Sequence, residues 1–474
     1  MSKRKLMIIL IPLIVLSFFS VFYFAMAEKK ESEKERTFKD VTIRAAFSKF
    51  PEVIAFVKYA SEKADEIGVK LDVSWYGFDE IVDKIILDYR AGIKSWDLFY
   101  VDAKELPTYV RIGAVTPIEE FISDPSIADS NLDLDDFDST LIEVNTSDGF
   151  WGPKGILWAF PNYSGPNALI FRSDLFNHPQ EKTNFKRKYG YDLVVPKTYN
   201  QFYDAAEFFT RTRGEILAGE VLESDFYGNA QSCKPGGFIF HDYLNFALGF
   251  GAQNIYYADT LMPAWNEPEN IAAGKYFVSL KSFMPPGASA MSSGESLALF
   301  VEGRVLMTIE YTLKVGTACN DPERSKIIGK WDYTINPTVP ESGRIGAGLY
   351  ASNFAAIYSL SRNKEIAYKL CEYVASKEVQ KRRAIEDNLP PVRISVMNDP
   401  EVMSKQPWMK NFSKITAPNL ALEPDVMNPH FNEILDITST AISQAFAGEI
   451  SVEEAYNIAQ KQLIDLFKDA GYIK

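Results

Sequence analysis

The sequence predicts an α/β protein with at least two lobes, and three observations support this fold class. Strand and helix patterns alternate between residues 41 and 101. A second group of strand patterns follows several long helical patterns later in the chain. The chain has 474 residues, whereas single hydrophobic cores stop growing near roughly 250 to 300 residues. We therefore expect two α/β cores within one chain.

The N-terminus has the pattern of an export signal. Three basic residues at positions 3 to 5 precede an apolar run from Leu6 to Phe24, which ends in Ala25-Met26-Ala27. This order is typical of a secretory signal peptide. The run is also close to the roughly 20 residues that a membrane-spanning helix needs. We expect residues 1–27 to be cleaved before Glu28, with an uncleaved membrane anchor as the alternative.

The remaining chain is acidic. Its formal net charge changes from −13 to −16 when residues 1–27 and their three positive charges are removed. A strongly acidic protein without a basic stripe is a poor partner for nucleic acid, which is bound through clustered Lys and Arg. Residues 28–39 alternate Lys and Glu and are predicted to form a charged, solvated tether. We expect an exported monomer at the periplasmic or extracellular face of the cytoplasmic membrane that binds no nucleic acid.

Hydrophobic periodicity defines the first α/β region. Val41–Phe47 is a β-rich run, and Pro51–Ile67 carries apolar residues at helical spacing. Val69–Trp75 alternates like a half-buried strand, Ile81–Tyr89 returns to helical spacing, and Leu98–Val101 is a third, short strand. Two successive strand–helix–strand units build a parallel sheet, and ligands bind in the crevice outside the carboxyl ends of its strands.

A strand-rich crossing leads from this region to a second one. The crossing spans Leu157–Phe171, and a returning strand at Ala351–Leu360 is followed by a helix at Lys364–Glu386. Between them the patterns predict three helices and two strands: Asn200–Arg213, Phe240–Phe250, Ile271–Phe283, Arg304–Glu310 and Trp331–Asn336.

The chain contains three cysteines. Cys233 and Cys319 lie in loop-like sequence, and export to an oxidising compartment permits a disulfide between them. Cys371 lies in a helical pattern and is expected to be a buried free thiol. Their spacing matches no zinc motif, so we expect no metal site and no cofactor.

Five short stretches occur in one order along the chain, and together they resemble the extracellular solute-binding proteins, family 1, of bacterial ABC importers, which include the maltose-binding proteins. The stretches are Trp96–Ile122, Leu157–Phe176, Val195–Thr210, Leu299–Thr312 and Ser361–Arg382. The sequence departs from the commonest family pattern in a long insertion at Asn177–Asp192 and in Glu310-Tyr311, where many members have Gly-Trp.

The resemblance implies a two-lobed periplasmic-binding-protein fold. Each lobe would have a mainly parallel sheet flanked by helices, with a ligand cleft between the lobes. By this similarity residues 40–160 and 347–395 form lobe I, and residues 161–346 and 396–474 form lobe II. It also implies capture of a sugar or oligosaccharide by hinge closure and its delivery to a membrane permease, the expected protein partner.

A sugar site needs aromatic rings for the C–H faces and polar groups for the hydroxyls. The resemblance places ligand-binding roles on loops at strand ends and crossings, which carry Trp75, Tyr76, Asp102, Asn162, Tyr163, Ser164, Glu310, Tyr311, Tyr350 and Arg393. Structural alternatives remain open for several of these residues. Trp75 also fits a core position, Tyr76 and Tyr350 could pack a hinge, Asp102 could cap a helix, and Arg393 could pair with a carboxylate.

Glu310 follows an apolar strand pattern, so its carboxylate needs a partner if it is buried. A ligand hydroxyl, a cation or an internal salt bridge would each meet this requirement.

Other functions would use some of the same residue types. Binding of a polyamine or of a metal-loaded ligand would use some of the same carboxylates and tyrosines. A secreted glycosidase would need two carboxylates about 5 to 10 Å apart, but the sequence has no catalytic signature. Its three histidines, His178, His241 and His430, have no metal-ligand spacing. We therefore expect a binding protein and not an enzyme.

Overall fold

The computed structural model describes residues 38, 40–163, 165–252, 255–257, 259–343, 350–412, 415 and 428–474. These residues form two hydrophobic cores. One core draws on residues 43–163 and 354–392, with Leu313 added from the other lobe. The second draws on residues 168–333 and 396–467, with Ala384 added. Two cores in one α/β chain agree with the predicted fold class, and the lobe limits given above stay proposals.

The strands lie in two main sheets and one small hairpin. Within the described residues they are β1 Thr42–Ser48, β2 Lys70–Tyr76, β3 Leu98–Asp102, β4 Val115–Thr116, β5 Gly165–Arg172, β6 Ile216–Leu217, β7 Glu220–Val221, β8 Tyr227–Asn229, β9 Val305–Tyr311, β10 Trp331–Thr334, β11 Tyr350–Ala351 and β12 Asn353–Tyr358.

The helices of the described residues flank these sheets. They are α1 Pro51–Glu66, α2 Phe78–Arg90, α3 Leu106–Ile112, α4 Glu119–Ile122, α5 Ser139–Val144, α6 Ser173–Asn177, α7 Pro179–Tyr189, α8 Tyr199–Phe209, α9 Gly237–Gly249, α10 Pro268–Ser279, α11 Ser293–Val301, α12 Thr312–Cys319, α13 Lys364–Ala375, α14 Lys377–Glu386, α15 Ile394–Met397, α16 Pro400–Lys405, α17 Phe431–Ala447 and α18 Val452–Asp469. The predicted insertion at Asn177–Asp192 contains α7, a helix that starts at Pro179.

The sheet of the first lobe has the strand order β2-β1-β3-β12-β4. Strands β2 and β3 pair with β1 in parallel, as the alternating patterns predict. Strand β12 is antiparallel to both β3 and β4. Four strands therefore share one direction, and only the strand that returns from the second lobe is reversed.

The sheet of the second lobe also has one reversed strand. Its order is β10-β5-β9-β8, with β5 antiparallel to β9 and β10, and β8 parallel to β9. The reversed strand is β5, the first one that the chain forms after it crosses from the first lobe. A strand that enters a sheet from the cleft starts where its neighbours end, so it must run against them. Both sheets are therefore mixed: the strands other than the crossing strand share one direction, and the pairings with the crossing strand are antiparallel.

A buried polar network fixes the two crossings. The Arg383 guanidinium is 2 % exposed and donates to the carbonyl oxygens of Asn162 and Glu52 at 2.8 and 3.3 Å. The Asn162 amide donates to Asn353 Oδ1 at 3.1 Å, and the Asn353 amide donates to Glu52 Oε1 at 2.8 Å. Burial lowers the pKa of Arg383 to about 10 and raises that of Glu52. These contacts join the outgoing segment, the returning strand and the start of α1.

The predicted disulfide between Cys233 and Cys319 is wrong. All three cysteines are free and buried, as expected only for Cys371. Cys319 is the last residue of α12 and is packed in the second core, and Cys233 is packed there as well. Their polar, Gly- and Pro-containing surroundings suggested exposed loops, but each cysteine is used as a small apolar core residue.

The predicted export segment, residues 1–27, lies outside the described residues, as does almost all of the tether at 28–39. Among the residues that are described, no helix combines the length and the apolar character needed to cross a membrane.

We predict that the three thiols of the folded protein do not react with thiol reagents. Burial raises the pKa of Cys233, Cys319 and Cys371, so little reactive thiolate forms at neutral pH. Ellman's reagent should titrate almost no thiol in the native protein and all three after denaturation without reductant. A count of one thiol in denaturant would show that two cysteines are joined.

We also predict that the crossing network is needed for stability. Replacing Arg383 with Met removes the guanidinium donor from the buried carbonyl groups of Asn162 and Glu52 and removes a cation near the Glu52 carboxylate, which should cost about 3–5 kcal/mol. The neighbouring Arg382→Met is a matched control, since Arg382 is a third exposed and pairs with Glu62 on the surface; it should cost at most about 1 kcal/mol. Urea unfolding measures both, and equal effects would contradict the assigned role of Arg383.

Candidate solute-binding site

A cavity of about 1110 Å³ lies where strand ends from both lobes meet. The first lobe lines it with Asp102 at the end of β3 and with Tyr163 on the outgoing crossing. The second lobe lines it with Glu310 and Tyr311 at the end of β9. The reversed strands begin at the same place, because Asn353 of β12 is in register with Asp102. The cavity is therefore built by the topology of both sheets.

Six aromatic side chains line the cavity: Phe50, Tyr100, Trp151 and Tyr163 from the first lobe, and Phe238 and Tyr311 from the second. The rings of Phe50 and Tyr100 lie 5.7 Å apart. Phe238 is unusual because it is 43 % exposed although its ring is fully apolar. Aromatic faces on both sides and a few polar groups are the usual composition of a small-molecule site.

Glu310 is held by a local network in the second lobe. It is 3 % exposed, and its Oε2 accepts a hydrogen bond from the Ser293 hydroxyl at 2.5 Å. Its Oε1 accepts from the Tyr311 backbone amide at 2.9 Å and lies 3.5 Å from the Lys314 ammonium. Lys314 also donates to the Ser293 hydroxyl at 2.9 Å. The internal-salt-bridge alternative therefore accounts for the buried Glu310 carboxylate.

Asp242 and His241 lie beside this network on α9 and line the cavity. Asp242 accepts a hydrogen bond from the Ser232 backbone amide. Burial, together with the nearby negative charge of Glu310, raises the pKa of Asp242 well above its usual value. Burial and the positive charges of Lys104 and Lys314 lower the pKa of His241 to about 3, so its imidazole is neutral at physiological pH.

The first-lobe wall offers hydrogen-bonding groups at the end of β3. Asp102 precedes a 3-10 turn at Ala103–Glu105, but its side chain makes no capping hydrogen bond to that turn. The capping alternative for Asp102 is therefore not realised, and its carboxylate lines the cavity instead. Ser352 lines the same wall, and its buried hydroxyl has no hydrogen-bond partner within the described part of the chain.

The structure brings four of the ten predicted residues to the cavity: Asp102, Tyr163, Glu310 and Tyr311. A ligand contact for these four stays a prediction. Ser164 lies outside the described residues, and Tyr350 is described only as backbone in β11.

Asn162 and Arg393 do not line the cavity. Asn162 belongs to the crossing network. The buried Arg393 guanidinium donates to the carbonyl oxygens of Ala375, Asp133 and Leu132 at 2.7, 2.9 and 3.0 Å. It lies 3.6 Å from the Asp136 carboxylate, in line with the ion-pair alternative. We therefore do not include Asn162 or Arg393 in the proposed binding site.

Trp75 and Tyr76 also lie away from the cavity. Both pack against the first-lobe core from β2, at the edge of its sheet. The Lys49 ammonium lies 5.8 Å from the centre of the Trp75 ring, and Tyr76 packs edge-on against Trp96 at 6.0 Å. Both residues therefore have packing partners in the first lobe, and neither belongs to the cavity lining.

Several lining residues were missed from the sequence: Phe50, Trp151, Phe238, His241, Asp242 and Lys314. A usable signal existed for Phe50, which lies two residues after the end of β1, just as Asp102 lies at the end of β3. No local pattern separates Trp151 and Phe238 from ordinary loop and helix residues. The described residues contain no group of three or more His, Cys, Asp or Glu side chains that could hold a metal ion.

Two α/β lobes joined by reversed crossing strands, with a large cavity between them, define a two-lobed solute receptor. Residues 48–381 match the family described as bacterial extracellular solute-binding protein. This match spans well over half of the chain, so the chain belongs to that family. It is a binding protein of the transport class and not an enzyme.

Characterised relatives are similar but distant. A mannitol-binding protein of Pseudomonas aeruginosa is 24 % identical over 341 residues, which cover 68 % of this chain and 72 % of that protein. A probable ABC transporter-binding protein of Deinococcus radiodurans is 24 % identical over 310 residues, covering 65 % and 69 % of the two chains.

Solved structures share the fold. An ABC transporter solute-binding protein from Agrobacterium radiobacter K84 in complex with ribitol has a TM-score of 0.74 at 22 % identity and covers 90 % of this chain and 99 % of that one. Maltose-bound MalE3 of T. maritima has a TM-score of 0.71 at 18 % identity, with coverage of 90 % and 100 %.

The buried Asp242 predicts a pH effect on the solute-free protein. The pKa of Asp242 is raised in the folded state, so protonation of its carboxyl group favours folding. This contribution to the free energy of unfolding is lost as the pH rises from about the unfolded-state pKa through the folded-state pKa. Asp242→Asn should therefore melt at a higher temperature than the wild type at pH 8, and the difference should shrink toward pH 4. Melting curves across this range test it.

Asp259→Asn, on an exposed turn, changes the net charge equally and serves as the control. The interpretation fails if Asp242→Asn lowers the melting temperature at pH 8, or if the control gives the same pH dependence.

Proposed function

We propose that the protein is the extracytoplasmic receptor of an ABC importer and that it captures a carbohydrate or a polyol between its lobes. The observation that carries this proposal is the composition of the cavity. Aromatic side chains from both lobes line it together with carboxylate, hydroxyl and ammonium groups. Sugars and their alcohols combine C–H surface with many hydroxyl groups, so they match both components.

The relatives support the same ligand class. The Pseudomonas relative is named as a mannitol-binding protein, and similar folds have been solved with ribitol, D-mannitol and maltose. Their bound molecules range from a small polyol to a disaccharide. The cavity volume of about 1110 Å³ is slightly above the range of typical ligand pockets, about 300–1000 Å³. This volume leaves room for more than one sugar unit.

The proposed mechanism is hinge closure. Solute that binds one lobe recruits contacts from the other, and the closed state gains population in proportion to its higher affinity. The Arg383 network holds both crossings at the base of the cleft, so the lobes move about fixed segments. Asp102 and Tyr163 would contact solute from the first lobe, and Glu310 and Tyr311 from the second.

The proposed location and partners follow from the family. We propose that residues 1–27 direct export and that the receptor acts as a monomer outside the cytoplasmic membrane. The closed form would dock on a membrane permease and release its solute there. The receptor needs no cofactor for this role, since binding and closure use its own side chains.

A cationic solute such as a polyamine is the second candidate, and one observation favours it. The carboxylates that line the cavity outnumber the lysines. Its carboxylates are Glu52, Asp83, Asp102, Glu105, Glu143, Asp148, Asp242 and Glu310, and its lysines are Lys104, Lys234 and Lys314. An amine would be attracted by this imbalance, whereas a neutral sugar would use the carboxylates as hydrogen-bond acceptors.

A binding screen separates the two candidates. Titration calorimetry of the purified protein against mannitol, ribitol, maltose, maltotriose, spermidine and putrescine should give saturable binding with a sugar or polyol. Binding of spermidine or putrescine alone would support the cationic alternative, and cleavage of maltotriose during the titration would contradict a receptor.

We predict that the aromatic side chains that line the cavity contribute to the affinity for sugar. Phe238→Ala removes a stacking face that is already half exposed, so it should weaken sugar binding about tenfold or more with little effect on folding. Trp151→Ala should weaken binding at least as much, because it removes a larger face from the opposite lobe.

Trp75→Ala is the matched control for the tryptophan variant, because Trp75 belongs to the same lobe but does not line the cavity. Its dissociation constant should stay within about twofold of the wild type. Equal losses of sugar affinity in Trp75→Ala and Trp151→Ala, with circular dichroism spectra like that of the wild type, would contradict the assignment of the cavity as the binding site.

A further inference from the structure

A contact between the lobes lies beside the cavity without lining it. The ring of Phe150, in the first lobe, meets the ring of Tyr472, in the second, with centroids 5.2 Å apart and planes at 60°. Burial raises the pKa of the Tyr472 hydroxyl, and the nearby positive charge of Arg111 in the first lobe opposes this rise. We call Arg111, Phe150 and Tyr472 the rim contact. All three residues lie outside the crossings that connect the lobes covalently.

Tyr472 is fixed within the second lobe. Its ring packs edge-on against Phe467 of α18 at 5.4 Å and against His430 at 5.6 Å. Its hydroxyl donates to Asn428 Oδ1 at 3.5 Å. Helix α17 begins directly after His430 and supplies Asn432 and Leu435 to the cavity lining. Tyr472 is therefore packed against the segment that leads into the second-lobe wall of the cavity.

Phe150 lies at the tip of a first-lobe loop, residues 146–155. The base of this loop is closed by hydrogen bonds from Ser147 N to Ile156 O at 3.0 Å and from Gly155 N to Ser147 O at 2.7 Å. Trp151 is 5 % exposed and lines the cavity, whereas the adjacent Phe150 is 37 % exposed and meets Tyr472. The same short loop thus carries one ring into the cavity wall and one into the rim contact.

We propose that Tyr472 is a positioning residue for solute retention: through Phe150 and Arg111 it holds the two lobes in the solute-enclosing arrangement and keeps Trp151 against the solute. This inference rests on the proposed hinge closure. A contact that exists only when the lobes are close stabilises the closed state and no other state. Its loss shifts the population toward the open state without removing any group that touches solute.

Four variants and one control test the proposal in the full-length protein. Tyr472→Ala removes the ring and the hydroxyl, Phe150→Ala removes the partner ring at an exposed position, and the double variant tests their coupling. Tyr472→Phe keeps the ring and loses the hydroxyl that lies near the Arg111 charge. Ile458→Ala is the control, because Ile458 is an apolar residue on α18 that is 46 % exposed.

Two readouts separate positioning from simple stability. Stopped-flow release of the best sugar or polyol from the calorimetric screen should be about three- to tenfold faster for Tyr472→Ala and Phe150→Ala. Solute release from the double variant should be no faster than release from the faster of the two single variants. The release rate of Tyr472→Phe should lie between those of Tyr472→Ala and the wild type. Small-angle X-ray scattering of the solute-free protein should give a larger radius of gyration for Tyr472→Ala than for the wild type and Ile458→Ala.

The outcomes are distinct. A wild-type radius of gyration and wild-type release rates in Tyr472→Ala and Phe150→Ala overturn the proposal, as does tighter solute binding or an additive double variant. If no sugar or polyol binds the wild type while the radius of gyration still rises in Tyr472→Ala, the proposed function fails and the rim contact stands as the element that holds the lobes together.

Discussion

The structure depends on one buried set of hydrogen bonds, which joins the two crossings of the chain to the first lobe. Arg383 binds the backbone of Asn162 and Glu52, and Asn353 bridges the side chains of Asn162 and Glu52. An unpaired guanidinium or carboxylate at this depth would be costly, so each member requires the others. Because the outgoing and returning strands both start at this network, the place where the two sheets face each other is set by it.

The cavity follows from that arrangement. Strands that share a direction end at the same edge of each sheet, and the reversed crossing strands begin there. Loops after β3 and β9 consequently face each other across a common space. The protein fills the two walls differently. The first lobe contributes most of the aromatic rings and most of the carboxylates, whereas the second contributes Lys234, Lys314 and the buried Glu310 that Ser293 and Lys314 hold. A solute would therefore complete its binding shell only when both lobes contact it.

The sequence predicted the elements of the first sheet well, because period-two and helical patterns are local properties of β1, α1, β2 and β3. It also placed Asp102 and Glu310 at strand ends, where the parallel-sheet rule puts ligand sites. It could not decide between the binding and core alternatives for Trp75, which packs against the first-lobe core, since whether a strand lies at the centre or the edge of its sheet depends on pairing with distant strands. The thiol environments and the role of Phe238 likewise depend on tertiary packing, which leaves no local pattern.

In the proposed function, both lobes bind one solute in the cavity between them. Hydrogen–deuterium exchange with and without the best-binding sugar or polyol tests this most directly. We expect solute-dependent protection in first-lobe segments 100–105 and 146–151 and, at the same solute concentration, in second-lobe segments 237–242 and 310–314. Protection confined to one lobe, or found only on a surface away from these segments, would contradict it.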